Sequence, residues 1–347
     1  MKMKNLKNLL LFLLMGMLLG ACSNDGNDTT QTTANANANA PQVVNTGNPA
    51  IDGLSAKIAQ NPEDASLYAA RAGSWLQIEG YDEAIADLEK AIAIDSLKPE
   101  YHHALADSYM DYYKSRKALE TMLNAGVIFP KRIQTLLKLA EFQYILKQYT
   151  DALFTLERVR VIEPANAEMF FMFGLVFQEM GRIDEAKGAY QKAVESDPDL
   201  IDAWINLGKI LGEEKNPLAE RYFDNALRVN PNSVPALHAM AYYLANQKND
   251  IQGSIEYYKK VNVADPQYEE GYFNLGLVYL DADSLDEAYK SFDLAIKIKP
   301  DYVESYFFRG MASKMKGNID AAKADFQQSL NLNPEYEYAQ RELADLK

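Results

Sequence analysis

Seven prolines divide most of this chain into nearly equal lengths: Pro130, Pro164, Pro198, Pro231, Pro266, Pro300 and Pro334 stand 34, 34, 33, 35, 34 and 34 residues apart. The same interval counted backwards reaches Ser96 and then Pro62. A fixed period of this length specifies a stack of like units, because each unit buries its apolar face only against the next. With every unit ended two residues after its proline, eight units result: 65–98, 99–132, 133–166, 167–200, 201–233, 234–268, 269–302 and 303–336.

Other columns keep step. Position 8 is Ala72, Ala106, Ala140, Gly174, Gly208, Ala241, Gly276 and Gly310, and position 20 is alanine in every unit but the sixth, which has Ser254. Position 27 is small, and position 24 is bulky, from Leu88 and Met122 to Phe292 and Phe326. Small residues at 8 and 20 are expected to let two antiparallel helices approach, a small residue at 27 to let the next unit dock, and the residue at 24 to fill the space between hairpins. Proline at 32 cannot continue a helix and presets the turn into the following unit.

These columns resemble the tetratricopeptide repeat, whose signature is carried in the fifth unit by Trp204, Leu207, Gly208, Ala219, Phe223, Ala226 and Pro231. The resemblance covers 65–336 and implies an all-α fold, a right-handed α-solenoid of eight helical hairpins with terminal capping helices over 50–64 and 337–347. The fifth unit is one residue short and carries Pro217 at its inter-helix turn, while the sixth is one residue long. Both changes are expected to alter stacking locally and to leave the fold intact.

Ahead of the units, residues 1–8 hold three lysines and no acid, and Leu9–Leu19 is an apolar run of 11 residues. That is short of the ~20 residues a spanning helix needs and fits a signal-peptide core. The run leads through Gly20 and Ala21 to Cys22, the only cysteine. This resembles the lipobox of bacterial lipoproteins and implies a signal peptide over 1–21, acylation of Cys22 and a membrane lipid anchor. Ser23, rather than aspartate, follows the cysteine, which by the same resemblance implies an outer-membrane lipoprotein facing the periplasm or the cell surface. Residues 22–49 are polar and low in complexity, as expected of a flexible tether.

Charge and composition narrow the chemistry. The chain has 35 Lys and Arg against 49 Asp and Glu, a net charge of −14. This disfavours nucleic acid and electrostatic attachment to anionic lipid and favours basic partners. One cysteine and three histidines leave no basis for a Cys/His metal cage or an internal disulfide, so no metal and no cofactor are expected. His102, His103 and Asp107 form the one candidate acid–base group, but no nucleophile motif or phosphate loop accompanies them. An enzyme acting on a small-molecule substrate is therefore not expected.

The resemblance places ligand contacts on the first helix of each hairpin, mainly at positions 2, 5, 6, 9, 12 and 13 of a concave surface. The candidates for a protein-binding groove are His103, Leu137, Tyr144, Phe171, Met172, Ile205, Asn206, His238, Tyr242, Phe273, Asn274, Phe307 and Phe308. Phe307 and Phe308 are the strongest of these, because two adjacent side chains are not expected to face one core. Glu100, Glu168, Asp202, Glu270 and Glu304 at position 2 give an acidic margin. Such a groove suits a protein or peptide with hydrophobic anchors and basic flanks. Lysine is missing from positions 2 and 5, so the terminal-carboxylate clamp of some tetratricopeptide proteins is not expected. The 22 tyrosines raise a second reading, a glycan-binding surface lipoprotein.

Overall fold

The computed structural model describes residues 46–346, and these residues are helical throughout, with no strand among them. The helices are α1 (Pro49–Gln60), α2 (Ala65–Leu76), α3 (Tyr81–Ile94), α4 (Pro99–Asp111), α5 (Ser115–Ile128), α6 (Ile133–Ile145), α7 (Tyr149–Ile162), α8 (Ala167–Glu179) and α9 (Ile183–Ser196). They continue as α10 (Ile201–Glu213), α11 (Ala219–Val229), α12 (Val234–Tyr243), a π-helical turn (Leu244–Lys248), α13 (Ile251–Ala264), α14 (Glu269–Asp281), α15 (Leu285–Ile298), α16 (Val303–Met315), α17 (Ile319–Leu332) and α18 (Glu337–Asp345). The described residues fall into two compact bodies that meet in the sequence between Tyr243 and Leu244. Cys22, the 1–21 segment and most of the 22–49 segment lie outside the described residues.

Within each body the first helix of a hairpin packs on its second helix and then against the next hairpin. The small residue at position 8 serves one particular neighbour. A Cβ built on Gly208 would lie 2.6 Å from Phe223 Cε1, one on Gly276 2.6 Å from Phe292 and one on Gly310 2.7 Å from Phe326. The position-24 ring therefore lies flat over the position-8 Cα of its own hairpin, where the sequence suggested a filler between hairpins. Gly174 and Tyr190 are related in the same way. Alanine holds position 8 where position 24 is the slimmer Leu88, Met122 or Leu156, and the lengthened sixth unit is the exception, with Ala241 and Tyr258. Each fully buried position-24 side chain contributes about 2 kcal/mol by transfer from water.

The turns are equally repetitive. In seven hairpins the fifteenth residue has a left-handed backbone: Glu79, Tyr113, Lys147, Lys215 and Asp283 at φ 55–59°, with Gly181 at 72° and Gly317 at 82°. The next N–H then bonds a carbonyl five residues back, as in Lys114 N to Tyr109 O (2.7 Å) and Asn318 N to Ser313 O (2.8 Å). This is the Schellman closure of a helix C-terminus. In the sixth unit Asn249 takes the left-handed role and Asp250 N reaches back six residues, to Leu244 O at 2.8 Å. The extra residue is thus absorbed in the π-helical turn. The missing residue of the fifth unit is taken from the second helix, since α11 starts two residues after Pro217.

Non-glycine residues in this conformation carry about 1–2 kcal/mol of strain. Tyr113 is 95% exposed, so its side chain offers little compensation. Tyr113→Gly is expected to stabilise the chain by roughly 0.5–1 kcal/mol after the added freedom of the unfolded glycine is subtracted. Chemical denaturation checks this, and a loss of stability would contradict it.

Between hairpins, an Asp or Asn before the proline accepts from the N–H two residues on: Asp197 from Asp199 (2.9 Å), Asn230 from Asn232 (3.0 Å), Asp265 from Gln267 (2.9 Å) and Asn333 from Glu335 (3.1 Å). Position 4 then clamps the same turn from the next first helix. Tyr68 Oη donates to Pro62 O (3.1 Å), Trp204 Nε1 to Pro198 O (2.7 Å) and Tyr306 Oη to Pro300 O (3.1 Å). His102 does likewise, its Nε2 lying 3.0 Å from Ser96 O. That ring is a buried turn clamp, which accounts for one of the two adjacent histidines.

Candidate functional site

Within each body the first helices approach their counterparts in neighbouring hairpins: α4 meets α6, α6 meets α8, α10 meets α12, and α14 meets α16. Second helices do not approach one another comparably. The closely set first-helix face is the inner side of each body, where consecutive hairpins bring their first-helix side chains close together.

Residues 46–243 place His103, Tyr144, Phe171, Asn206, His238 and Tyr242 half-buried on that inner side. Leu137, Met172 and Ile205 are buried, and so are Phe273, Phe307 and Phe308 in the second body. These six therefore belong to the core and not to a groove floor; Asn274 stays half-buried. The expectation about Phe307 and Phe308 fails for a geometric reason. Helix α16 is wedged between α15 and α17, so it has core on two sides. Phe308 stacks with Phe292 of the preceding hairpin at 5.9 Å, while Phe307 lies 5.6 Å from Phe326 of its own. Residues 100° apart on such a helix are both enclosed. Tyr302 and Tyr336 cover Phe273 and Phe307 from the position-34 turn, at 5.0 and 5.5 Å. The equivalent residue of the fourth unit is the smaller Leu200, and there Phe171 keeps access to water.

The polar lining is partly spent on itself. Glu100 pairs with Arg132 (2.9 Å), and Asp107 pairs with Lys138 (2.8 Å). His103 Nε2 lies 2.9 Å from Thr135 Oγ1. Burial lowers the His103 pKa, and the cations Lys138 and Arg132 lower it further, so the ring is neutral at pH 7. With Asp107 committed to Lys138, the His103/Asp107 pair weighed above is a structural junction between α4 and α6.

On α10 the composition differs. Asp202, Lys209 and Glu213 are exposed along one stripe, and Asn206 Nδ2 turns inward to its own helix, donating to Asp202 O at 2.8 Å. Burial lowers the Lys209 pKa against the opposing charges of Asp202 and Glu213. More than a third of Lys209 still meets water. The shift therefore reflects crowding around the ammonium and not enclosure. Lys209 stands at position 9, a column that the search for lysines at positions 2 and 5 passes over. Seven of the 22 tyrosines are enclosed by packing, Tyr68, Tyr109, Tyr190, Tyr243, Tyr258, Tyr302 and Tyr336, and the others keep some access to water. A separate hollow of about 580 Å³, lined by Asn61, Glu63, Asp64, Asp95 and Tyr101, lies at the turns and not on the inner face. Among the described residues no group of three His, Cys, Asp or Glu is placed to hold a metal ion.

Comparison with known proteins follows the same pattern. The tetratricopeptide repeat family model matches residues 167–200, 269–302 and 303–336, which are the fourth, seventh and eighth units. The Homo sapiens protein O-mannosyl-transferase TMTC3 is 24% identical over 241 residues, 67% of this chain and 26% of its own length. The chain thus spans about a quarter of that relative. Among solved structures, a chain of the APC/C hetero-tetramer Cut9-Hcn1 superposes with TM-score 0.54 at 16% identity, covering 85% of this chain and 58% of that one. Pseudomonas aeruginosa pilF superposes with TM-score 0.53 at 18% identity, covering 61% and 97%. At these identities the likeness is one of fold. The chain carries tetratricopeptide repeats and has the all-α fold of stacked helical hairpins.

Proposed function

We propose that this chain is a membrane-anchored scaffold that holds an envelope protein or peptide on the inner, first-helix face of residues 46–243. Proteins built from tetratricopeptide repeats typically bind other proteins, and the observation that favours this face is its half-occupied lining. Phe171, Tyr144 and Tyr242 are neither enclosed nor fully solvated. Glu168, Asp202 and Glu213 beside them make no ion pair among the described residues. Such a surface offers anchor sites for apolar side chains and a margin for basic ones. Attachment is assigned to an acylated Cys22 at the outer membrane, facing the periplasm or the cell surface. The support for that part is the basic start, the apolar run and the lone cysteine of the sequence. Seven tyrosines are spent on packing, and the accessible Tyr144 and Tyr242 stand beside an acidic margin, which favours a protein partner with basic flanks.

The test reverses the margin and leaves the core alone. A Glu168→Lys/Asp202→Lys/Glu213→Lys chain is expected to keep its thermal midpoint and to lose, by tenfold or more, the partner recovered with the wild type from the native envelope. Tenfold corresponds to about 1.4 kcal/mol, a modest demand on three charge reversals. Equal recovery by both chains would sink the assignment.

A further inference from the structure

The net charge conceals a local reversal. Residues 114–160 hold nine Lys and Arg against Glu120, Glu141, Asp151 and Glu157, a local +5 in a chain of −14. The same stretch carries an unusual outer surface. Second helices in this protein generally turn polar or small side chains outward, as α9 does with Asp184, Glu185 and Glu195. Helices α5 and α7 instead expose Val127 (77%), Phe154 (70%) and Val161 (84%), with Leu123, Ile128 and Ile162 beside them. Arg158 Nη2 donates to Gly126 O at 3.2 Å, linking α7 to α5, and Val127 and Val161 hold the same position of these two successive second helices, on one outer face. On the same two hairpins Arg116, Lys117, Lys131 and Lys147 are exposed and without a carboxylate partner among the described residues, against the exposed Glu120 and Asp151.

We propose that this outer face of the second and third hairpins docks on an anionic lipid surface. Apolar side chains ringed by cations match the layering of a bilayer interface, where acyl chains lie beneath phosphate groups. Lys and Arg near such a surface are drawn to its phosphate groups and add to the attachment. Four unpaired cations and at least three protruding apolar side chains give a reversible attachment that also orients the body, with the first-helix face turned away from the lipid. The unmatched positive charge selects phosphate-bearing lipid over a neutral partner. The inference does not rest on acylation of Cys22 or on the groove.

The experiment uses the full chain with Cys22→Ser and Phe154→Cys, labelled with an environment-sensitive dye. Mixed with phosphatidylcholine vesicles containing phosphatidylglycerol, the dye is expected to shift to the blue and to be quenched by brominated acyl chains. Salt or Arg116→Glu/Lys117→Glu is expected to weaken this by tenfold or more, and pure phosphatidylcholine to give little response. A dye that stays in water on vesicles that nonetheless retain the chain would overturn the proposal. So would light scattering that finds a dimer in the absence of lipid, abolished by Phe154→Ser/Val161→Ser, because the face would then belong to a second copy.

Discussion

Gly208→Ala is expected to destabilise the fifth hairpin by about 2–3 kcal/mol, although alanine is the better helix former by about 1 kcal/mol. The new methyl would stand 2.6–2.8 Å from three atoms of the Phe223 ring. That ring is fully buried and has no room to retreat. The sign should reverse in the Phe223→Leu background. There the pair reproduces Ala72 with Leu88, so the glycine-to-alanine change is expected to be neutral or stabilising. The coupling between the two sites is then about 2 kcal/mol or more, within the range for residues in contact. Denaturation curves of the two single variants and the double variant measure it. Additive effects would contradict the pairing of positions 8 and 24.

A second large effect is expected at Arg309. Its Nε and Nη2 donate to Asp325 at 3.0 and 2.7 Å, and Nη1 donates to Asp293 of the preceding hairpin at 2.7 Å. Arg71 does the same in the first hairpin, with Asp87 at 2.8 and 2.6 Å and Ser55 of α1 at 3.0 Å. Between them, position 7 is Leu105, Leu139, Phe173, Leu207, Met240 and Leu275. The charged pairs therefore mark the first and last full hairpins. Burial lowers the Arg309 pKa, but the bond to Asp325 outweighs it together with the nearby carboxylates, and the net shift is upward. Asp325→Ala leaves the guanidinium only its bond to Asp293 and is expected to cost about 3 kcal/mol, the low end for a buried pair, since that bond remains and 16% of the arginine side chain stays exposed. Arg309→Leu/Asp325→Ser copies Leu275 and Ser291 of the seventh hairpin and is expected to recover most of that loss. Asp293 keeps its pair with Lys297 at 2.8 Å. If the double variant is as unstable as Asp325→Ala, the clamp is required for packing and not merely tolerated.

These two predictions locate what sequence reading reached. The columns at 8, 20, 24 and 27 are legible because helices at close range accept only certain volumes, whatever else varies. The length changes in the fifth and sixth units are visible too, but not their form. One extra residue is compatible with a longer loop or with the π-helical turn that the structure adopts. The binding face was legible as a set of columns and misread as individual residues. A first helix between two second helices exposes a narrow arc, and its width depends on neighbours outside the column. Phe171 and Phe307 share position 5, yet Leu200 leaves one open while Tyr336 closes over the other. The practical consequence is direct: Phe273→Ala or Phe307→Ala would probe folding, whereas Phe171 and Tyr242 probe binding. The charge clamps escaped notice because two units of eight do not make a column.

The most direct test of the account is site-specific photo-crosslinking in living cells. A crosslinking amino acid replaces Phe171 or Tyr242 on the inner face, or the exposed Glu195 on α9, in otherwise identical chains. The account predicts a discrete protein adduct from the two inner positions and none from Glu195, with the inner adduct lost on Glu168→Lys/Asp202→Lys/Glu213→Lys. Adducts of equal yield from all three positions, or from Glu195 alone, would contradict the claim that this chain works by holding a partner on its first helices.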